Sequence, residues 1–282
     1  MVLTSKPGRK GKGVLRHFFS TLCLLFLTGI LAGAANAAPA KIVAVELTKS
    51  YAKAPKFTQG LFFHEGVLYE TSGLYGLSEL NLWELTEGQL NNLHSVMLPE
   101  RVFAEGSTVA EGMIQILTWQ GNALLRYDLE SLTPIMAPRP KRVPGEGWGL
   151  TYDGEVLWRS DGSNTLWAHS PVDFSLLSGK ELIITDNGVP VDKLNELEYE
   201  PESGLIYANI LGSDLVAAID PQSSSIVFYL DFTQLAAGMR EIYQLKFQES
   251  VLNGLAFDQK GALFATGKHW PIVYEVSFLR PL

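Results

Sequence analysis

From residue 41 onward the apolar positions come in short runs broken by glycine, aspartate, asparagine, serine and proline. Nowhere do they sustain the period of a long amphipathic helix. Short runs between turn residues predict strands. Lys41–Leu47 alternates weakly. Gly60–Phe63 is followed by a turn at His64–Gly66 and a second run, Val67–Thr71, and Ser78–Leu85 opens another pair. The expected fold class is all-β, with one short helix over Phe232–Arg240 in the long connection from Asp231 to Ser250.

The pattern also repeats. Gly66, Gly112, Gly154, Gly204 and Gly261 each open an apolar run, at successive spacings of 46, 42, 50 and 57 residues. Similar follow-up runs come at Asn122–Asp128, Asn164–His169, Asp214–Asp220 and Ile272–Val276. Such periods, with about four strands each, mark propeller blades. The expectation is a five-bladed β-propeller formed by residues 38–282 as a single domain. The strand 41–47 should join the unit of 262–278, so that pairing of N- and C-terminal strands closes the ring and leaves no free edge. A β-sandwich is the alternative. Two sandwiches would need a linker, and Pro134–Pro144 is the only candidate.

Residues 1–37 read as a signal peptide. Lys6, Arg9, Lys10, Lys12 and Arg16 precede an apolar run, Phe18–Gly33, and an Ala35-Asn36-Ala37 cleavage site. The run is short for a bilayer span, which needs about 20 residues. The expected location is therefore exported, periplasmic or secreted, with no membrane attachment after cleavage. Without the leader, 17 basic residues face 30 acidic ones, a net charge of about −13. That balance excludes the basic stripe of a nucleic-acid binder. The single cysteine, Cys23, lies in the leader, so the mature chain has no disulfide, no Cys-ligated metal and no Cys nucleophile.

In a propeller, residues between blades converge on one end of the channel. The blade starts are Phe57–Leu61, Phe103–Gly106, Gly145–Leu150, Leu194–Glu198 and Val251–Leu255. They put Gln59, Glu105, Glu146, Asn195 and Asn253 at matching places. A ring of amides with one or two carboxylates suits binding a small polar molecule and moving a proton. The same residues can equally tie neighbouring blades together by hydrogen bonds, and Glu146 and Asn253 lean that way. Glu196 and Glu198 read as strand-end carboxylates. Trp119, Trp148 and Trp270 lie beside polar or Gly-rich segments, whereas Trp83, Trp158 and Trp167 sit in strand patterns and read as packing. Lys268 is flanked by candidate site residues. The scattered histidines lack metal-ligand spacing, Ser163 reads as a turn serine, and there is no nucleophile elbow, phosphate loop or dinucleotide fingerprint.

At these residues the chain resembles the plant-type and bacterial glutaminyl-peptide cyclotransferases, also called glutamine cyclotransferases. The matching motifs include Phe57–Leu61, Leu68–Gly73, Tyr75-Gly76, Phe103–Gly106, Leu117–Trp119, Gly145–Thr151, Ser160–Ser163, Pro190–Glu198, Ile206–Asn209, Val251–Gly254 and Thr266–Pro271, in order across about 50–278. The resemblance implies a five-bladed propeller, no metal or other cofactor, and conversion of an N-terminal glutamine of a peptide or protein to pyroglutamate with loss of ammonia. It implies Glu105 as the acid/base, Gln59 and Asn195 as substrate hydrogen-bonders, and Phe57, Phe103, Trp119 and Trp148 as pocket lining, with Lys268 at the edge. Two positions depart from the family pattern: a wall tryptophan is replaced by Leu211, and an arginine by Asn81.

The leading expectation is an exported, metal-independent glutaminyl-peptide cyclotransferase, acting as a monomer on peptides or proteins with N-terminal glutamine. The alternative is a non-catalytic propeller that binds peptides or an exported partner, for which Leu211 is the best support. A sugar or phosphate hydrolase would need a second carboxylate, and Glu105 with Glu146 is the pair to check.

Overall fold

In the computed structural model the described residues are 38–120, 123–135 and 145–281, and they fall within one compact unit. The expected leader, 1–37, and most of the Pro-rich stretch lie outside them. No helix among the described residues is long and apolar enough to cross a membrane.

The first two strands, β1 (Lys41–Ala44) and β2 (Glu46–Ala52), pair with strands far along the chain. Next comes an antiparallel meander of β3 (Thr58–His64), β4 (Val67–Ser72), β5 (Glu79–Thr86) and β6 (Gln89–Met97). A second sheet holds β7 (Ala104–Ala110), β8 (Met113–Thr118) and β9 (Leu124–Asp128). The third is built from short strands, β10 (Leu150–Tyr152), β11 (Leu157–Arg159), β12 (Thr165–His169) and β13 (Leu182–Ile183). The small pieces β14 (Thr185–Asp186) and β15 (Val189–Pro190) edge the fourth sheet, whose body is β16 (Leu194–Glu200), β17 (Leu205–Ile210), β18 (Leu215–Asp220) and β19 (Ser225–Asp231). The helix α1 (Thr233–Ile242) then precedes β20 (Leu252–Phe257), β21 (Leu263–Gly267) and β22 (Ile272–Ser277).

The sheets lie side by side through their first strands. β3 packs beside β7, β7 beside β10, β10 beside β16, β16 beside β20, and β20 beside β3. Apolar clusters fill the gaps between successive sheets. Phe62, Leu80 and Ile116 fill the first; Leu117, Leu150 and Leu157 the second; Trp158, Leu166 and Leu197 the third; Phe228, Leu255 and Leu263 the fourth; Leu61, Trp83 and Phe264 the last. Burial in this all-β, barrel-like arrangement is therefore face to face between sheets. The helix contributes Ala236 and Met239 to the fourth gap, where Trp270 is fully buried and donates Nε1–H to the Ser250 carbonyl at 3.0 Å.

The expected terminal pairing is shifted and divided. The segment expected as one strand over 41–47 splits at Val45. Lys41–Ala44 runs parallel to β19, and Glu46–Ala52 runs antiparallel to β22. The reason is packing: Val43 and Val45 both rest on the cluster between the fourth and fifth sheets, so the chain crosses from one to the other over it. The run expected from Gly154 to Leu157 is also displaced. Asp153 Oδ1 accepts the Glu155 and Val156 amides at 2.8 and 2.6 Å, which extends the turn and starts the strand at Leu157.

At the inner strands the backbones come too close for side chains. A Cβ on Gly60 would lie 2.6 Å from Ser107 N, one on Gly106 2.5 Å from the Trp148 carbonyl oxygen, and one on Gly149 2.0 Å from that of Asn195. In β16 the corresponding residue is Glu196. Its carboxyl group accepts the Leu61 amide at 3.2 Å and the Leu255 amide at 2.9 Å, and Glu198 accepts that of Phe257 at 3.0 Å. Neither is a solvated strand-end carboxylate; Glu196 ties β16 to the adjacent β20 and across to β3, and Glu198 ties it to β20. Burial, with Glu198 nearby, holds the Glu196 carboxyl well above the usual range, and burial raises Glu198 to about 8.

A charged cluster underlies the first sheet. Lys53 Nζ and Glu70 Oε1 are 2.9 Å apart with both side chains fully buried. Thr58 Oγ1 donates to the same oxygen at 2.5 Å and Trp83 Nε1 to the other at 2.9 Å. Removing one partner of a buried pair leaves an uncompensated charge and costs about 3–5 kcal/mol. Lys53→Met should therefore lower the guanidinium unfolding midpoint by that free energy, and adding Glu70→Leu should recover part of it. An unchanged midpoint for the single variant would show that the pair does not constrain the fold.

Candidate active site

Four inner strands begin with an irregularity in their pairing, between Thr58 and Gly60, Ala104 and Ser107, Leu194 and Leu197, and Leu252 and Leu255. Such irregularities re-aim side chains. The residues inside them are Gln59, Glu105, Asn195 and Asn253, as the repeat alignment expects. The third sheet departs from that expectation. Gly149 takes the close-approach position there, so Trp148, one residue earlier, corresponds to Glu105, and Glu146 lies outside the series.

A cavity of about 180 Å³ opens at this level, lined by Phe57, Gln59, Phe103, Glu105, Trp119, Trp148, Asn195, Leu211 and Lys268. All eight candidate site residues are thus brought together, with Leu211 in the wall beside them. Its floor is an amide chain. Asn195 Nδ2 donates to Asn253 Oδ1 at 2.8 Å, and Asn253 Nδ2 reaches the Thr58 carbonyl at 2.9 Å and Gln59 Oε1 at 3.4 Å. Asn253, which leaned structural, holds the two candidate substrate-binding amides in place. Asn195 is also fixed through its carbonyl, which accepts the Ser160 hydroxyl at 2.6 Å.

The walls are aromatic. Phe103 meets Phe57 edge-on at 6.0 Å, Trp119 at 5.5 Å and the exposed Tyr75 at 5.5 Å. Trp148 lies flat over Gly162, where a Cβ would sit 2.5 Å from the ring. Trp119 Nε1 and Trp148 Nε1 both donate to Glu146 Oε2, each at 2.9 Å. This double contact has no spacing signal in the sequence beyond the nearness of Glu146 to Trp148. Leu211 is placed by its amide, which donates to the Lys193 carbonyl at 2.9 Å. Trp270 is not in the cavity; it is core.

Glu105 is the buried acid of the site, 5% exposed, and its carboxyl group has no hydrogen bond among the described residues. Burial pushes its pKa well above the carboxylate range. The Lys268 ammonium opposes that shift, and the Glu146 charge adds to it. Lys268 is itself pushed down by burial, with Glu105 acting against that, and its Nζ lies 4.9 Å from the centre of the Phe57 ring. The result is one carboxyl group in an aromatic pocket whose burial favours the protonated form, the direction that a proton carrier needs. Glu146, the carboxylate that the hydrolase reading would pair with it, already has one oxygen held by two indoles, which argues against the two-acid hydrolase. Among the described residues no group of three or more His, Cys, Asp or Glu is placed to hold a metal ion.

Known proteins share this sequence and structure. The family model described as glutamine cyclotransferase matches residues 21–278. A glutaminyl-peptide cyclotransferase of Arabidopsis thaliana is 34% identical over 224 residues, covering 78% of this chain and 67% of that protein. The crystal structure of Myxococcus xanthus glutaminyl cyclase superposes with a TM-score of 0.74 at 33% identity, covering 85% of this chain and 98% of that one. By sequence over most of its length, and by fold, the chain belongs to the glutamine cyclotransferase family.

Proposed function

We propose that this chain is an exported, metal-independent glutaminyl-peptide cyclotransferase in which Glu105 carries the proton. The observation that carries the reading is the cavity: one buried, raised-pKa carboxyl group among aromatic walls, over a floor of fixed amides. Five successive antiparallel strand groups, the first and last joined by a single β2–β6 pairing, have inner strands that contact each other in a cycle and support a five-bladed β-propeller as its frame. Export rests on the leader pattern in residues 1–37, and metal independence on the cysteine-free mature sequence and its scattered histidines.

The chemistry follows from the residues. The substrate's α-amine nitrogen attacks its own γ-carboxamide carbon, forming the ring C–N bond. The bond to the amide nitrogen breaks and ammonia leaves. Ring closure is intramolecular, so holding the extended glutamine in a near-attack geometry supplies much of the rate. Gln59 and Asn195 suit the carboxamide, and the aromatic walls suit the methylenes. One proton leaves the amine and one is needed by the departing ammonia. Glu105 accepts the first and returns it, ending unchanged.

Leu211 keeps the wall apolar without a flat ring or an indole N–H, which favours a looser grip on the substrate over loss of the reaction. Binding of a glutamine peptide without ammonia release would instead favour the non-catalytic alternative.

Glu105→Gln should keep the fold, because an amide is nearly isosteric with the protonated acid. It should lower kcat for ammonia release from a glutamine peptide by about 10²–10⁴-fold. A folded variant with wild-type turnover would reject Glu105 as the proton carrier. Lys268→Met removes the positive charge that favours ionised Glu105. The Glu105 pKa should then rise, and the acidic limb of the kcat/KM profile should move to higher pH by on the order of one unit. A limb that stays or moves down would remove Lys268 from the proton chemistry.

A further inference from the structure

We infer that Glu146 is a positioning residue, one of whose carboxylate oxygens holds Trp119 and Trp148 as the two indole walls of the pocket and thereby keeps a negative charge beside the site of Glu105. The inference rests on the cyclotransferase reading of the site. The two indoles come from different sheets: Trp119 follows β8, and Trp148 precedes β10. Their N–H groups converge on Glu146 Oε2 at 2.9 Å each. A hydrogen bond to a charged acceptor is about twice as strong as a neutral one, and here two such bonds span the seam between sheets at the cavity. Without them, two indole donors beside a half-open pocket would turn toward water or compete for substrate oxygens.

Glu146 is itself held from behind. Arg159, fully buried, donates Nη1–H to the Glu146 carbonyl oxygen at 2.6 Å and Nε–H to His169 Nε2 at 3.2 Å. The guanidinium therefore engages the backbone of Glu146 and leaves the carboxylate to the indoles. His169 accepts from Arg159, so its other ring nitrogen carries the proton toward the Phe174 carbonyl, 3.2 Å away. The charged groups that act on Glu105 are Lys268 and Glu146, with opposite signs. Glu146 thus has two separable effects. The geometry of the walls depends on an oxygen acceptor at Oε2, and the effect on Glu105 depends on charge.

Two substitutions separate them. Glu146→Gln keeps an oxygen able to accept both indole N–H groups and loses the charge; Glu146→Ala loses both. For Glu146→Gln the expected KM stays within about twofold of wild type. Loss of the negative charge lowers the Glu105 pKa, so the acidic limb of the kcat/KM profile moves to lower pH by on the order of half a unit. For Glu146→Ala the limb moves the same way and KM rises roughly tenfold, because misplaced walls no longer grip the substrate methylenes. Tryptophan fluorescence quenching by acrylamide should increase in Glu146→Ala and stay at wild-type level in Glu146→Gln. Wild-type KM and quenching in Glu146→Ala would overturn the positioning role, and an unmoved limb in Glu146→Gln would overturn the charge role. If Glu146→Ala does not fold, Glu146→Gln decides alone: raised KM or an unmoved limb overturns the inference. If the wild-type protein releases no ammonia from glutamine peptides, the cyclotransferase reading fails, and the quenching comparison still decides whether Glu146 positions the indoles.

Discussion

The structure depends on how closely five strands can approach one another. At the level of the pocket the inner strands carry glycine at Gly60, Gly106, Gly149 and Gly254. At the first three, a Cβ would meet a neighbouring backbone atom at 2.6 Å or less. Removing those side chains lets the strands converge until the residue just before each glycine reaches a common space. One strand breaks the rule with Glu196, whose carboxyl group spans to the adjacent β20 and across to β3 and satisfies amides that the convergence would otherwise strand. The glycines make room, and the glutamate uses part of that room to tie the strands together.

The cavity is a product of this convergence. Gln59, Glu105, Trp148 and Asn195 reach it because each stands one residue before a close-approach position, three of them inside a pairing irregularity that turns the side chain inward. Asn253, the fifth of the set, supplies connection in place of contact with the cavity. Glu105 is held toward its protonated form by burial, and no described residue donates a hydrogen bond to its carboxyl group. A carboxyl group stabilised by donors would ionise easily and hold its proton poorly. Lys268 and Glu146 then act on it with opposite signs.

Much of this was legible in the sequence. The all-β class followed from short apolar runs, and the cavity-lining Gln59, Glu105 and Asn195 were picked out as polar positions at the starts of recurring units; the helix at 233–242 was expected within two residues at its end. What escaped has physical reasons. β6 is exposed along most of its length, so it carries no apolar pattern to read. The first strand divides at Val45 because of a packing surface contributed by residues far along the chain. Trp148 displaced Glu146 from the repeat because the third unit replaces the polar residue before its glycine with an indole. Glu196 and Glu198 read as strand-end carboxylates because carboxylates are rarely buried, and nothing local announces the amides from other strands that they accept.

The crowding at the cavity floor also limits how this site can be reshaped by substitution. A pocket is usually enlarged by shortening the side chains beneath it. Here those positions are already glycine, and the adjoining amides are bound to one another across strands. Variation in what the site accommodates must therefore come from the walls and mouth, where Leu211 stands and where the ring of Tyr75 reaches solvent. Those positions can drift in size and shape while the depth of the cavity, set by backbone against backbone, stays constant.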